Sequence, residues 1–189
     1  MGCTPENSEA GQLFALLAFV PGALGVYLNS LRSRLVPGCQ FKSHVTLLPP
    51  RVLGGSASAL SEALASRLES VEPFEVGLGP VEVFPATGVI YLGLRTGGDA
   101  LRQLHAVLAQ GEFAYEEPYE FHPHVTLAQD FPLPQSEDLV RSARSLWEEW
   151  RGDRSFMLDR VSFVQGADLS TWETVSEHEL TRSRRPRTG

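Results

Sequence analysis

The tetrapeptide His-Val-Thr-Leu occurs twice in this chain, at residues 44–47 and again at 124–127. Each copy follows an aromatic residue three positions earlier, Phe41 and Phe121. Each lies in a short run whose polar and apolar residues alternate, the period of a strand with one buried face. An internal repeat speaks first about architecture. It predicts two related halves, each presenting one strand to a shared cleft. Residues i and i+2 of a strand point the same way, so His44 projects with Thr46 while Val45 and Leu47 anchor the strand from behind. His124 and Thr126 do the same in the second half.

The segments between the repeats fit that plan. Gln12–Val20 reads as an apolar strand ended by Pro21-Gly22, and Ala23–Leu35 carries apolar residues at helical spacing (24, 28, 31 and 35) until Pro37-Gly38. Gln40–Leu48 is the next strand, expected to end at Pro49-Pro50. A helix follows over about 58–70, then a hairpin of two strands, 74–84 and 89–95, around Pro85-Ala86-Thr87-Gly88. Asp99 caps a helix that runs to about Gln110. A polar stretch (111–120) leads to the strand 121–129, and Ser136 caps a further helix with Glu137 and Asp138 in its first turn. Strands over 154–164 and 171–180 close the chain. This order predicts an α+β fold: two pseudo-symmetric lobes of mainly antiparallel sheet, with flanking helices, around a central cleft. Residues 12–180 form one two-lobed domain, residues 1–11 a disordered leader and 181–189 a basic disordered tail.

Charge narrows the partners. The chain of 189 residues has a formal net charge of −7, and Lys42 is its only lysine. A protein that grips long nucleic acid by its phosphates is usually basic, so the expected ligand is a nucleotide or an RNA end held in a local pocket. No segment is long and apolar enough to span a bilayer. Two cysteines, Cys3 and Cys39, do not make a disulfide framework, which favours a reducing cytoplasm. A monomer is the default expectation.

The repeat suggests a chemistry. Cleaving a phosphodiester needs a proton taken from the attacking oxygen and a proton given to the leaving oxygen. Imidazole titrates near neutrality, so one neutral and one protonated histidine can coexist there. The two must flank phosphorus for in-line displacement, and threonine hydroxyls can donate to the non-bridging oxygens as charge builds up. His44 and His124 are therefore the catalytic candidates, with Thr46 and Thr126 as phosphate-binding residues. Lys42 and His122, each two residues before a histidine, share the cleft face if the strands are regular and are candidate substrate contacts. His105, beside a leucine stripe, reads as a rim residue, and His178 has no companion motif.

Two H-x-[ST]-hydrophobic motifs about eighty residues apart, each on a strand, resemble the two-histidine phosphoesterase superfamily, which includes 2′-5′ RNA ligase and RNA 2′,3′-cyclic phosphodiesterase. The resemblance covers roughly residues 12–180. It implies a pseudo-symmetric two-lobed fold, catalysis by His44 and His124, phosphate binding by Thr46 and Thr126, and no metal or other cofactor. It further implies that His44 protonates the leaving oxygen while His124 activates water. The expected activity is hydrolysis of 2′,3′-cyclic phosphate ends or of 2′-5′ linkages. By the same resemblance Phe163 is a candidate for stacking a base, and Trp172 shares that ambiguity. Two other readings stand beside it. One is a binding module for nucleotides or RNA ends that has lost catalysis. The other is a zinc hydrolase using His44, His122 and His124 as ligands, a scheme that leaves the repeated threonines without a role.

Overall fold

The computed structural model describes residues 13–131, 136–166 and 172–181. The expected leader lies outside the described residues, as does the tail beyond Thr181. Eight strands form a single antiparallel sheet: β1 (Leu13–Phe19), β2 (His44–Val52), β3 (Phe74–Val83), β4 (Ile90–Thr96), β5 (Val125–Ala128), β6 (Ser155–Leu158), β7 (Arg160–Gly166) and β8 (Glu173–Glu179). Four α-helices accompany them: α1 (Gly22–Leu35), α2 (Ala57–Leu68), α3 (Gly98–Leu108) and α4 (Ser136–Glu149). The sheet order is β6-β3-β4-β5-β2-β1-β7-β8. It divides into two four-stranded halves that meet at β5 and β2, the strands that carry the repeat.

The helices follow from their apolar stripes. In α1, Leu24, Leu28, Leu31 and Leu35 are buried; in α3, Leu101, Leu104 and Leu108. Each of these helices crosses to the opposite half: α1 packs on β5, and α3 on β2. Val45, Leu47, Val125 and Leu127 point at them and join one core. The helices thus cover the face away from His44 and His124. Among the described residues no helix is long and apolar enough to cross a membrane.

Two expectations are corrected here. β2 does not end at Pro49-Pro50 but runs on to Val52. Its ladder with β1 breaks register between the Phe14 and Leu16 pairs, opposite the two prolines. A bulge tolerates residues that have no N–H to donate. The segment 154–164, expected as one strand, divides at Asp159: β6 pairs with β3 at one end of the sheet, and β7 pairs with β1 in the other half. The chain passes from one half to the other within one residue, as only a strongly curled sheet permits.

Candidate active site

β2 and β5 are hydrogen-bonded neighbours, paired antiparallel through Val45↔Val125. In an antiparallel ladder, that register sets His44 opposite Thr126 and Thr46 opposite His124. Each histidine therefore faces the threonine of the other copy, around a local twofold axis at the valine pair. The symmetry extends outward: residues 41–48 and 121–128 share the same residue-by-residue burial pattern. Val45 and Val125 are fully buried, and the His and Thr side chains on the other face are partly open.

The imidazoles are held alike. Nδ1 of His44 lies 2.7 Å from the carbonyl oxygen of Lys42, and Nδ1 of His124 lies 2.7 Å from that of His122. A carbonyl only accepts, so each Nδ1 carries the hydrogen and donates it. Each Nε2 is left as the exchangeable site. Burial pushes the His44 imidazole down to about 4, with the neighbouring Arg32 and His124 adding to the shift against its backbone hydrogen bond. Burial also lowers His124, helped by the charge of His122. Arg32, itself buried, donates to the Thr126 carbonyl from beneath the sheet, and its other terminal nitrogen lies 3.6 Å from Cys39 Sγ.

Aromatic walls flank the pair. Phe19 meets the His44 ring edge-on at 6.0 Å. Phe84 and Tyr91 stack on each other at 4.1 Å and meet His124 edge-on at 5.0 and 5.2 Å. His122 joins the same cluster, 5.2 Å from Phe84, on the cleft face as the i−2 spacing predicts. Lys42 is exposed on that face, its Nζ 5.9 Å from the Phe19 ring centre.

Phe163 is a correction. It is fully buried in the core and stacks on Phe14 at 5.2 Å, so no base can reach it. Along β7 the neighbouring Val164 points to the cleft instead, packing with Leu17 and Trp172. Trp172 lines the groove beside His44, together with Phe19 and Phe41. A one-residue difference in strand phase separates these outcomes. Phe19 and Tyr91 lie in apolar runs, where an aromatic residue has the pattern of core. Their cross-strand partners, His44 and Thr126, reveal their face.

His105 is more than a rim residue. Its ring lies flat on Phe121 at 4.0 Å, and its Nδ1 is 2.7 Å from the Leu47 carbonyl. His178 sits apart from the cleft, its Nε2 2.9 Å from Ser176 Oγ. The three imidazoles of the zinc scheme do not converge: among the described residues no three His, Cys, Asp or Glu side chains are placed to hold a metal ion.

A sequence profile described as "2'-5' RNA ligase superfamily" matches residues 29–168. The chain belongs to this superfamily, the two-histidine phosphoesterases. A predicted phosphoesterase of Oceanobacillus iheyensis is 31% identical over 163 residues, which cover 82% of this chain and 89% of that protein. One from Geobacillus kaustophilus is 25% identical, covering 67% and 74%. Among solved structures, E. coli LigT in complex with 3'-AMP superposes with a TM-score of 0.60 at 17% identity, over 90% of this chain and 99% of LigT. The crystal structure of another phosphoesterase superposes with a TM-score of 0.60 at 18% identity, over 91% of this chain and 99% of that one. These superpositions establish the same fold.

Proposed function

We propose that this protein is a metal-independent phosphodiesterase that opens 2′,3′-cyclic phosphate ends of RNA or cleaves 2′-5′ linkages. The reading rests on one observation above all: two His-x-Thr strands related by a local twofold axis, each imidazole tied through Nδ1 to the carbonyl two residues earlier. The phosphate sits over the valine pair. Thr46 and Thr126 donate to its non-bridging oxygens, and Lys42 and His122 reach its substituents. In ring opening, the neutral histidine takes a proton from water through Nε2 as the water oxygen bonds to phosphorus. The P–O bond to one ribose oxygen breaks, and the protonated histidine supplies that oxygen with its proton. The product is a phosphate monoester, and the two histidines have exchanged protonation states. The phosphate's negative charge restores to one imidazole the proton that burial disfavours.

Burial and a neighbouring group oppose the proton on both imidazoles, Arg32 at His44 and His122 at His124. Family resemblance makes His44 the acid that protonates the leaving oxygen and His124 the base that activates water. Turnover of a 2′,3′-cyclic nucleotide with EDTA present tests the whole scheme. Wild type cleaves, and His44→Ala and His124→Ala each lose on the order of 10²–10⁴-fold. With a p-nitrophenyl leaving group, which needs no proton, His44→Ala recovers most of its rate and His124→Ala does not. Recovery by His124→Ala instead would exchange the roles. No turnover by any of the three proteins would favour the binding-module reading.

A further inference from the structure

The catalytic repeat is symmetric, but the cleft around it is not. Beside His124 the wall is the stretch 113–121, which follows a single 3-10 turn (Gly111–Phe113) and has no regular structure after it. It is nonetheless tied down. Buried Arg51 donates to the Phe113 carbonyl at 3.0 Å and to Glu117 Oε1 at 2.6 Å, and the Tyr115 ring lies 4.9 Å from its guanidinium carbon. The wall encloses a cleft of about 630 Å³ lined by Phe84, Val89, Tyr115, Pro118 and Tyr119 as well as His124. Tyr115 and Tyr119 stand 58% and 73% exposed there, large rings presented on a braced wall.

On the far side, beside His44, lies a second cleft of about 460 Å³ lined by Phe19, Lys42 and Trp172. A phosphate over the valine pair stands between the two. A cyclic mononucleotide, with one organic group on phosphorus, fills only one of them. Charge distinguishes the sides. Beside His124 the acidic residues are Glu117, already paired with Arg51, and exposed Glu120, which has no ion-pair partner among the described residues. Among the described residues, no lysine or uncommitted arginine lines that cleft to receive a further phosphate. Beside His44, Glu177 is paired with Arg160 at 2.8 Å, and Lys42 has no ion-pair partner among the described residues.

We propose that the cleft beside His124 is a subsite for a terminal, unphosphorylated nucleoside stacked on Tyr119 and Tyr115, and that the rest of the substrate leaves past Lys42. The preferred substrate is then a linear diester with a nucleoside on each side of phosphorus, cut at a chain end. This rests on the phosphodiesterase reading and chooses between its two substrates. Binding to the His44→Ala protein, which holds ligands without turnover, tests it with three probes: inorganic phosphate, AMP and adenylyl-(2′→5′)-adenosine. The dinucleoside binds on the order of tenfold more tightly than AMP, as one stacked base provides. Tyr119→Ala removes most of that gain and leaves phosphate binding unchanged. Phosphorylating one end of the dinucleoside weakens binding, phosphorylating the other does not, and Glu120→Lys relieves the loss. A dinucleoside no tighter than AMP, or equal losses at both ends, overturns the subsite alone. Failure of phosphate itself to bind overturns the phosphodiesterase reading and the subsite with it.

Discussion

At the scale of single residues, the unusual group is Arg32. It is 4% exposed, donates to a backbone carbonyl, and has no carboxylate partner among the described residues. A buried charge without an opposite charge costs stability, and the Nε of Arg32 has no hydrogen-bond partner among the described residues. A residue kept at such a cost points to function. Its charge lies beneath the site where a phosphate would gain negative charge. Arg32→Met should leave the melting temperature unchanged or raised while kcat falls about tenfold or more. A calorimetric scan beside a rate measurement checks both halves, and a lowered melting temperature with normal kcat would assign Arg32 to structure alone. The two histidines set a further expectation. Both are pushed below their ordinary value of 6.5, His44 to about 4. The base must be neutral and the acid charged, so kcat/KM, which reports the free enzyme, rises from about pH 4 and falls again below pH 6.5. The kcat profile lies at higher pH, because bound phosphate favours the charged imidazole. A kcat/KM profile flat from about pH 5 to 9 would remove the acid–base assignment.

At the scale of elements, the connection from β1 into α1 positions the site. Val20 N–H donates to the Ser43 carbonyl at 2.9 Å, fixing the residue before His44. Gly25 of α1 approaches Val20 so closely that an added Cβ would lie 1.9 Å from the Val20 carbonyl oxygen. Helix propensity alone would credit Gly25→Ala with about 1 kcal/mol. The clash is with backbone rather than a side chain that can swing away, so the sign reverses. Gly25→Ala should destabilise by about 2 kcal/mol or more, within the range for overpacking, and should lower activity as well. Urea denaturation decides between the two signs. The alternating and 3.6-residue patterns mark most strands and helices near where they lie, but the strands expected from Gln40 and Phe121 begin only at His44 and Val125, and Gly97 rather than Asp99 caps α3. Two further departures have a shared cause. The run of β2 through Pro49-Pro50 and the division at Asp159 depend on which distant strand each residue pairs with, and no local pattern carries that. The stretch 111–120 looked like a plain polar connection; only the fold brings Arg51 beneath it.

At the scale of the whole molecule, a net charge of −7 surrounds a site whose one lysine is Lys42. Affinity for single-stranded RNA depends on salt with a slope near −0.7 for each phosphate neutralised. Contact with one or two phosphates gives a slope of about −1. Titrating a short RNA across ionic strengths measures it, and a slope near −4 would reveal an extended basic track that the charge distribution does not show. The repeat, the strand phase that places His and Thr on one face, the superfamily and the element order, apart from the division at Asp159, are all legible in the residues alone. Tertiary structure decided that the two repeats are paired neighbours, His44 opposite Thr126 and Thr46 opposite His124. It also replaced Phe163 by Trp172 at the cleft, and made the clefts beside the two histidines unequal, about 630 and 460 Å³. The physical reason is that the period of a strand is local, fixed by the chain's own geometry, whereas register and burial depend on which surfaces the remote halves of the chain cover when they meet.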